Sequence, residues 1–296
     1  MANLKEVRGR IQSVNSTQQI TKAMKMVAAA KLRRAQDNIL QMRPYAEKLN
    51  SILERVSSTL DESFDNKFGQ VRSEVKNVLI VVVTSDRGLC GGFNSSVSKV
   101  VLSLINEKYE SQKQAGTLEI LSIGKKGAEF FQRRGFKVNT QFMGVFGNLS
   151  FDVVKEAAEY VMDAFASEKY DVVEIVYNEF KNVATQIVRT EQFLPIVAQE
   201  NETTTSNDNL DYLFEPNKVD IIAELIPKSL KIQLYKAVLE SNASEHGARM
   251  TAMDKATDNA GELLKELKLM YNRSRQAAIT TEILEIVGGA EALANG

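Results

Sequence analysis

The sequence predicts an α/β protein: a long antiparallel coiled coil of N- and C-terminal helices, with an α/β domain inserted between them. Three observations lead there. Each end of the chain carries a stripe in alternating steps of four and three, the 3.5-residue repeat that holds a narrow helix face against a partner helix. The middle alternates short β-branched runs with amphipathic segments, the pattern of strands and covering helices. Polar, aperiodic stretches at 61–73 and 199–209 separate these regions. The expected parts are a helix over 1–60, the α/β domain over 74–198, a loop over 199–218 and a second helix over 219–296.

The first helix runs from about Asn3 to Leu60. Its seam is Val7, Ile11, Val14, Gln18, Thr21, Lys25, Ala28, Leu32, Ala35, Ile39, Met42, Ala46, Leu49, Leu53, Val56 and Leu60. Pro44 lies inside it. A proline removes one backbone bond and crowds the preceding turn, yet the seam keeps its phase, so a kink is expected and not an end. Gln18, Thr21 and Lys25 interrupt the apolar seam. A dry two-stranded coil would not choose them, which predicts that this stretch touches something other than its partner helix.

The middle begins after Gly69 with Val75–Thr84, apolar on both faces and read as a buried strand. A glycine loop, Ser85–Asn94, follows, then a helix over about Ser95–Glu110. Leu118–Ile123 is a second strand, Lys126–Arg134 a short helix, Phe136–Phe142 a third strand and Phe151–Ser167 an amphipathic helix. Val172–Tyr177 and Thr185–Phe193 read as a hairpin around Asn182. Strand and helix alternate, so the insert is expected to be Rossmann-like: a mostly parallel sheet with helices on both faces.

The last helix runs from about Val219 to Val287. Its seam is Ile232, Tyr235, Leu239, Asn242, His246, Arg249, Met253, Ala256, Ala260, Leu263, Leu267, Met270, Ser274, Ala277, Thr281 and Leu284. Pro216 and Pro227 bracket its start, and Gly288-Gly289 is expected to stop it. At 1.5 Å per residue the two long helices would extend roughly 85 and 100 Å, beyond what a small domain encloses. A projecting antiparallel pair is the expected arrangement.

The net charge of −1 argues against wholesale nucleic-acid binding, but the charge is unevenly placed. Between Met1 and Gln36 the basic residues are Lys5, Arg8, Arg10, Lys22, Lys25, Lys31, Arg33 and Arg34, against Glu6 alone. That arm suits an acidic partner surface, although a solvated helix face reads equally well. Cys90 is the only cysteine, which excludes an internal disulfide and fits a reducing compartment. No apolar run reaches about 18 residues, the length that spans a membrane. The start, Met-Ala-Asn-Leu-Lys, has neither a signal region nor a transit segment, so the chain is expected to stay in the compartment where it is made.

No complete catalytic set is visible. Glycines between a strand and a helix can bring amides to a phosphate, but Thr84–Asn94 lacks both a Gly-Lys-Ser/Thr run and G-x-G-x-x-G spacing. A structural turn is preferred there, with Gly88, Gly91 and Gly92 supplying positive φ and close packing. His246, the sole histidine, sits on a helical seam with no ligand-spaced partner and reads as structural. No Cys/His cluster suggests a metal. Cys90 lacks a nearby base, and Asp86 and Arg87 read as local polar contacts. The chain instead offers one-sided surface. Ile279, Ile283, Leu284, Ile286 and Val287 make an apolar end that asks for a surrounding partner. Arg249, Arg273, Arg275, Gln276 and Thr280 lie along the same helix.

Three stretches are similar to a known family: Ile20–Ala30 (ITKAMKMVAAA), Thr84–Asn94 (TSDRGLCGGFN), and Ala256–Ala260 continuing to Tyr271–Thr280 (YNRSRQAAIT). With the terminal Glu285–Ala290, they make the chain resemble the gamma subunit of F-type ATP synthase over essentially its full length. The resemblance implies a rotor whose terminal helices form an antiparallel shaft inside a ring of three alpha and three beta subunits, the C-terminal tip deepest in an apolar bearing. The bearing residues it implies are Ile283, Leu284, Ile286 and Val287. It places the α/β body against the epsilon subunit and the membrane ring of c subunits. Met24 matches the methionine that faces the acidic lever of the beta subunit, and Arg249 the arginine beside it. Arg275, Gln276 and Thr280 match polar residues that engage catch loops of the catalytic subunits. Lys25 falls where members carry Glu or Lys, and its positive charge is expected to strengthen attraction to the lever. ATP, ADP and Mg2+ are then expected on partner subunits, with no cofactor on this chain. The cysteine-bearing insertion of chloroplast members is absent, and a bacterial inner or plasma membrane, cytoplasmic side, is the implied location. Two rivals remain: a stand-alone nucleotide-binding α/β protein using the Gly88–Gly92 loop, and a coiled-coil tether without rotation.

Overall fold

A computed structural model describes residues 4–57, 67–72, 74–196 and 218–294. Of the loop expected at 199–218, residues 199–217 lie outside this description and Lys218 already belongs to the last helix; the side chains of Leu53, Val56 and Leu60 lie outside it too. The elements in order are α1 (Leu4–Ser57), β1 (Val78–Val83), α2 (Phe93–Lys108), α3 (Glu110–Ala115), β2 (Leu118–Ile123), α4 (Lys125–Gln132), β3 (Lys137–Asn139), α5 (Phe151–Ala166), β4 (Val172–Phe180), β5 (Gln186–Leu194) and α6 (Lys218–Ala294). A single 3-10 turn spans Val145–Gly147. Two compact units are present: Met1–Ala28 with Arg249–Gly296, and Ala29–Ala248. The helices α1 and α6 contribute to both.

The larger unit holds a five-stranded sheet of order β3-β2-β1-β4-β5. β1 pairs in parallel with both β2 and β4, β2 with β3 in parallel, and β4 with β5 antiparallel. The β4–β5 hairpin turns at Asn182, whose carboxamide oxygen accepts the N–H of Ala184 at 3.0 Å and of Thr185 at 2.7 Å. β1, Val-Leu-Ile-Val-Val-Val, is buried on both faces. On one side Leu79, Val81 and Val83 pack with Val154, Val161 and Phe165 of α5 and with Leu230, Leu234 and Val238 of α6. On the other, Val78, Ile80 and Val82 pack with Val97, Val101 and Ile105 of α2 and Phe131 of α4. Each such branched side chain contributes about 1.5–3 kcal/mol when buried, so the alternation of two covered faces explains the unbroken apolar run.

Several boundaries differ from expectation for local reasons. β1 begins at Val78 and not Val75 because the Asp171 carboxylate takes the N–H groups of Lys76 (2.8 Å) and Asn77 (2.7 Å). β3 stops at Asn139, whose side-chain oxygen accepts the Gln141 N–H at 3.0 Å and turns the chain, carrying Phe142 into the core. Pro227 lies inside α6, nine places after its first residue, and Pro44 inside α1 with helix on both sides. Gly288-Gly289 does not end α6, which continues to Ala294. Glycine costs a helix about 1 kcal/mol relative to alanine but stops it only when it adopts a left-handed cap, and Ala290, Glu291 and Leu293 favour continuation.

The α1 seam is confirmed: every described position from Val7 to Leu49 is buried or half-buried. In the larger unit Ala46 and Leu49 meet Ile232 of α6. The α6 seam drifts by one. Met253, Ala260, Leu267 and Ser274 face inward as expected, and Ala256 and Thr257 are both half-buried, but beyond them the alternate positions are Leu264, Tyr271 and Ala278, not Leu263, Met270 and Ala277. Leu264 is 8% exposed and Leu263 is 44%. Either order of three- and four-residue steps fits a heptad, and with leucine at both places only the partner helix discriminates.

Candidate functional site

The glycine loop is a closed turn. Asn94 anchors it: its side-chain oxygen accepts the Ser85 N–H at 3.0 Å, and its amide donates to Ser85 Oγ at 2.8 Å and Cys90 Sγ at 3.3 Å. Cys90 is a buried free thiol within this turn. Of the loop glycines only Gly91 takes positive φ (58°); Leu89 takes the other left-handed position (62°), and neither Gly88 nor Gly92 does. The crevice beyond the carboxyl ends of the strands, where α/β sheets usually bind ligands, is occupied by α6. Ala248 packs on Cys90 and Phe93, Ser244 Oγ donates to Asn178 O at 3.2 Å, and Glu240 Oε2 accepts the Phe180 N–H at 3.0 Å. The neighbouring turn is closed too. At the start of α4 the N–H of Lys125 goes to Asp86 Oδ1 (3.1 Å), of Lys126 to Ser85 O (3.0 Å) and of Gly127 to Thr84 Oγ1 (2.9 Å). The first N–H donors of α4, which could otherwise cradle a phosphate, are already spent within the chain, and Asp86 is in the local role expected of it.

Two groups with displaced titration sit in structural pairs. Burial first, then the Glu191 carboxylate that its hydroxyl donates to at 2.7 Å, pushes the Tyr177 phenol above its ordinary value. Asp171 is held below the usual carboxylate range: burial opposes this, but the Asn77 N–H, the Arg72 guanidinium and the Lys76 N–H together outweigh it. Arg72 also donates to Tyr170 O (2.9 Å) and Phe165 O (3.2 Å), beside an open cavity of about 560 Å³. Among the described residues no His, Cys, Asp and Glu group could hold a metal ion, and no helix is long and apolar enough to cross a membrane. His246 is buried in α6.

The smaller unit holds most of the remaining candidates. The polar interruptions of the α1 seam do not look outward, as was expected; they meet α6. Gln18 Nε2 donates to Thr257 O at 3.4 Å, the hydroxyls of Thr21 and Thr257 lie 2.8 Å apart, and Lys25 Nζ donates to Asp254 Oδ1 at 2.5 Å. Lys25 is therefore a paired charge and not a bare one. Asp254 and Thr257 were not singled out as partners in the sequence, although 18, 21, 25 and 254, 257, 261 both step by three and then four residues. Met24 is half-buried beside this row, and Arg249 is half-buried on α6. Arg275, Gln276 and Thr280 are exposed, with Thr280 Oγ1 donating to Gln276 O at 2.9 Å.

Continuing the antiparallel pairing back from Gln18 sets Leu4, the first described residue of α1, opposite about residue 275. Residues 279–291 and Leu293 of α6 are exposed throughout. Ile283 (54%), Leu284 (65%), Ile286 (71%) and Val287 (50%) lie on this stretch, apolar around more than one face. The structure thus brings together Gln18, Thr21, Lys25, Asp254 and Thr257, while Arg275, Gln276, Thr280 and the apolar end form a separate exposed run.

The ATP synthase family model matches residues 3–293. The chain is 63% identical to the ATP synthase gamma chain of Cytophaga hutchinsonii over the full length of both, and 50% identical to that of Chlorobium phaeobacteroides over 99% of each. Among solved structures it is similar to a chain from the central stalk and c-ring of Tetrahymena thermophila mitochondrial ATP synthase, with a TM-score of 0.56 and 28% identity over 80% of this chain and 99% of that one. A chain of Euglena gracilis mitochondrial ATP synthase shares the fold at a TM-score of 0.66 and 20% identity, covering 98% and 94%. A long-helix pair with an inserted doubly wound domain, its crevice closed, is in this light a central-stalk component of an ATP synthase and not the part that performs catalysis. The chain belongs to the ATP synthase gamma-chain family.

Proposed function

We propose that the chain is the rotor that couples ion-driven turning of a membrane c ring to ATP synthesis on surrounding alpha and beta subunits, and the reverse during hydrolysis. The observation that carries this is the end of α6. A single helix with Ile283, Leu284, Ile286 and Val287 exposed presents an apolar surface that water disfavours, and a close sleeve would cover it. Two helices of unlike sequence have no threefold symmetry. Turning them inside three equivalent sites gives each site different contacts, and differential contact is what shifts a site between open and closed states. In this reading Met24 and Arg249 meet the beta subunit near the polar row, and Arg275, Gln276 and Thr280 meet its catch loops. Nucleotide and Mg2+ bind on the partner subunits. The α/β body engages epsilon and the c ring on the cytoplasmic side of a bacterial membrane.

Reconstitution tests the proposal. Mixing the chain with alpha and beta subunits should yield a stoichiometric complex that hydrolyses ATP, while the chain alone is inert. Failure to form a complex, or ATP turnover by the isolated chain, would overturn it. The closed glycine loop already disfavours the nucleotide-binding rival.

A further inference from the structure

We propose that Gln18, Thr21 and Lys25 form a polar register key that fixes the axial position and phase of α6 against α1, with Lys25 acting through Asp254 as a positioning residue. The three contacts succeed one another in antiparallel order: Gln18 to Thr257, Thr21 to Thr257, Lys25 to Asp254. Gln18 also lies over Gly261, where an added Cβ would sit 3.0 Å from its Nε2. The two threonine hydroxyls are satisfied as a relay. Whichever donates to the other, the last proton reaches a helix carbonyl, Met253 O at 2.7 Å or Gln18 O at 3.0 Å.

An apolar heptad seam is permissive to sliding, because each repeat resembles the next. Slipping α6 by one heptad would set Thr21 against Leu264 and Thr257 against Ala28, all on the inward-facing seam. Thr21 is buried there, and a buried hydroxyl without a partner is costly. The same slip would part Lys25 from Asp254. Polar seam residues thus give uniqueness where the small residues of this stretch supply little interlocking. The consequence reverses the expectation for Lys25: its charge serves the partner helix first, and its sign matters relative to Asp254 and not to an outside acidic surface.

A charge exchange with two readouts tests this; only the second depends on the rotor reading. In the full-length chain, Thr21→Cys with Thr257→Cys should oxidise to an intrachain disulfide, seen as a mobility shift without reductant. Adding Lys25→Glu should slow that oxidation by about two- to fivefold, the scale of a partly exposed ion pair, and adding Asp254→Lys to Lys25→Glu should restore it. In membranes carrying the assembled enzyme, with both threonines intact, Lys25→Glu should lower ATP-driven proton pumping per ATP hydrolysed, and the exchanged pair should recover it. Unchanged crosslinking in Lys25→Glu would overturn the key. So would a pumping loss that the exchange does not repair, since that places the role of Lys25 on an outside partner. An enzyme that fails to assemble with the wild-type chain would count against the rotor reading alone, and the crosslinking would still decide the key.

Discussion

Removing Arg43 should harm the fold more than removing the charge of its partner, Glu240. The Glu240 side chain is 2% exposed, and its two oxygens accept Arg43 Nη2 at 3.3 Å and the Phe180 N–H at 3.0 Å. Arg43 is 45% exposed. Arg43→Met keeps the apolar stem but strands a buried carboxylate with one backbone N–H as its remaining described donor. Stranding a buried charge costs about 3–5 kcal/mol, and the surviving N–H puts this case near 3. Glu240→Gln keeps an oxygen for Phe180 and leaves Arg43 in water, a loss of about 1 kcal/mol. The double variant should resemble Glu240→Gln alone, because no buried charge remains to be stranded. Urea unfolding of the full-length chain followed by circular dichroism would read these as midpoint shifts. The reasoning is refuted if Glu240→Gln destabilises as much as Arg43→Met, or if the double variant is worse than Arg43→Met.

Three further outcomes are expected. Leu264→Ala should cost about 2–3 kcal/mol and Leu263→Ala about 0.5, because the first faces α1 and the second faces out; equal midpoint shifts would restore the other phase of the seam. Asp171 favours its ionised form in the folded state, so its contribution is complete above the ordinary aspartate value of about 4 and fades as pH falls through the depressed folded value. The midpoint difference between wild type and Asp171→Asn should therefore shrink on acidification, and a difference that grows would contradict the sign. Gly124→Ala places a Cβ 2.1 Å from Thr84 O at φ 105° and should lose soluble folded chain. Gly135→Ala, at φ 79° with nothing within 4 Å, should cost only about 1–2 kcal/mol in thermal unfolding.

Legibility followed the strength of the local signal. The strand Leu118–Ile123 and the hairpin at Asn182 were readable because apolar runs and turn chemistry are local properties. The short helix Glu110–Ala115 was not readable, the helix before it being expected to end at about Glu110: it has no buried residue and hence no apolar stripe. Gly124 was passed over and Gly88 favoured, because a glycine looks the same in sequence whether its backbone is left-handed or ordinary. The polar row was visible as an interruption but assigned to an outside partner, since nothing in Gln18, Thr21 or Lys25 names the side chain opposite.

The sequence by itself determined the parts: two terminal heptad helices, the strands between them and the family to which the chain belongs. These follow from periodicity and from motifs carried by neighbouring residues. Tertiary structure alone decided which of Leu263 and Leu264 faces inward, that Lys25 is neutralised by Asp254, and that α6 closes the crevice above the glycine loop. Each of those pairings joins residues more than a hundred places apart or chooses between equal local alternatives. Local propensity carries no term for either, and the choice falls to packing and to satisfying buried polar groups.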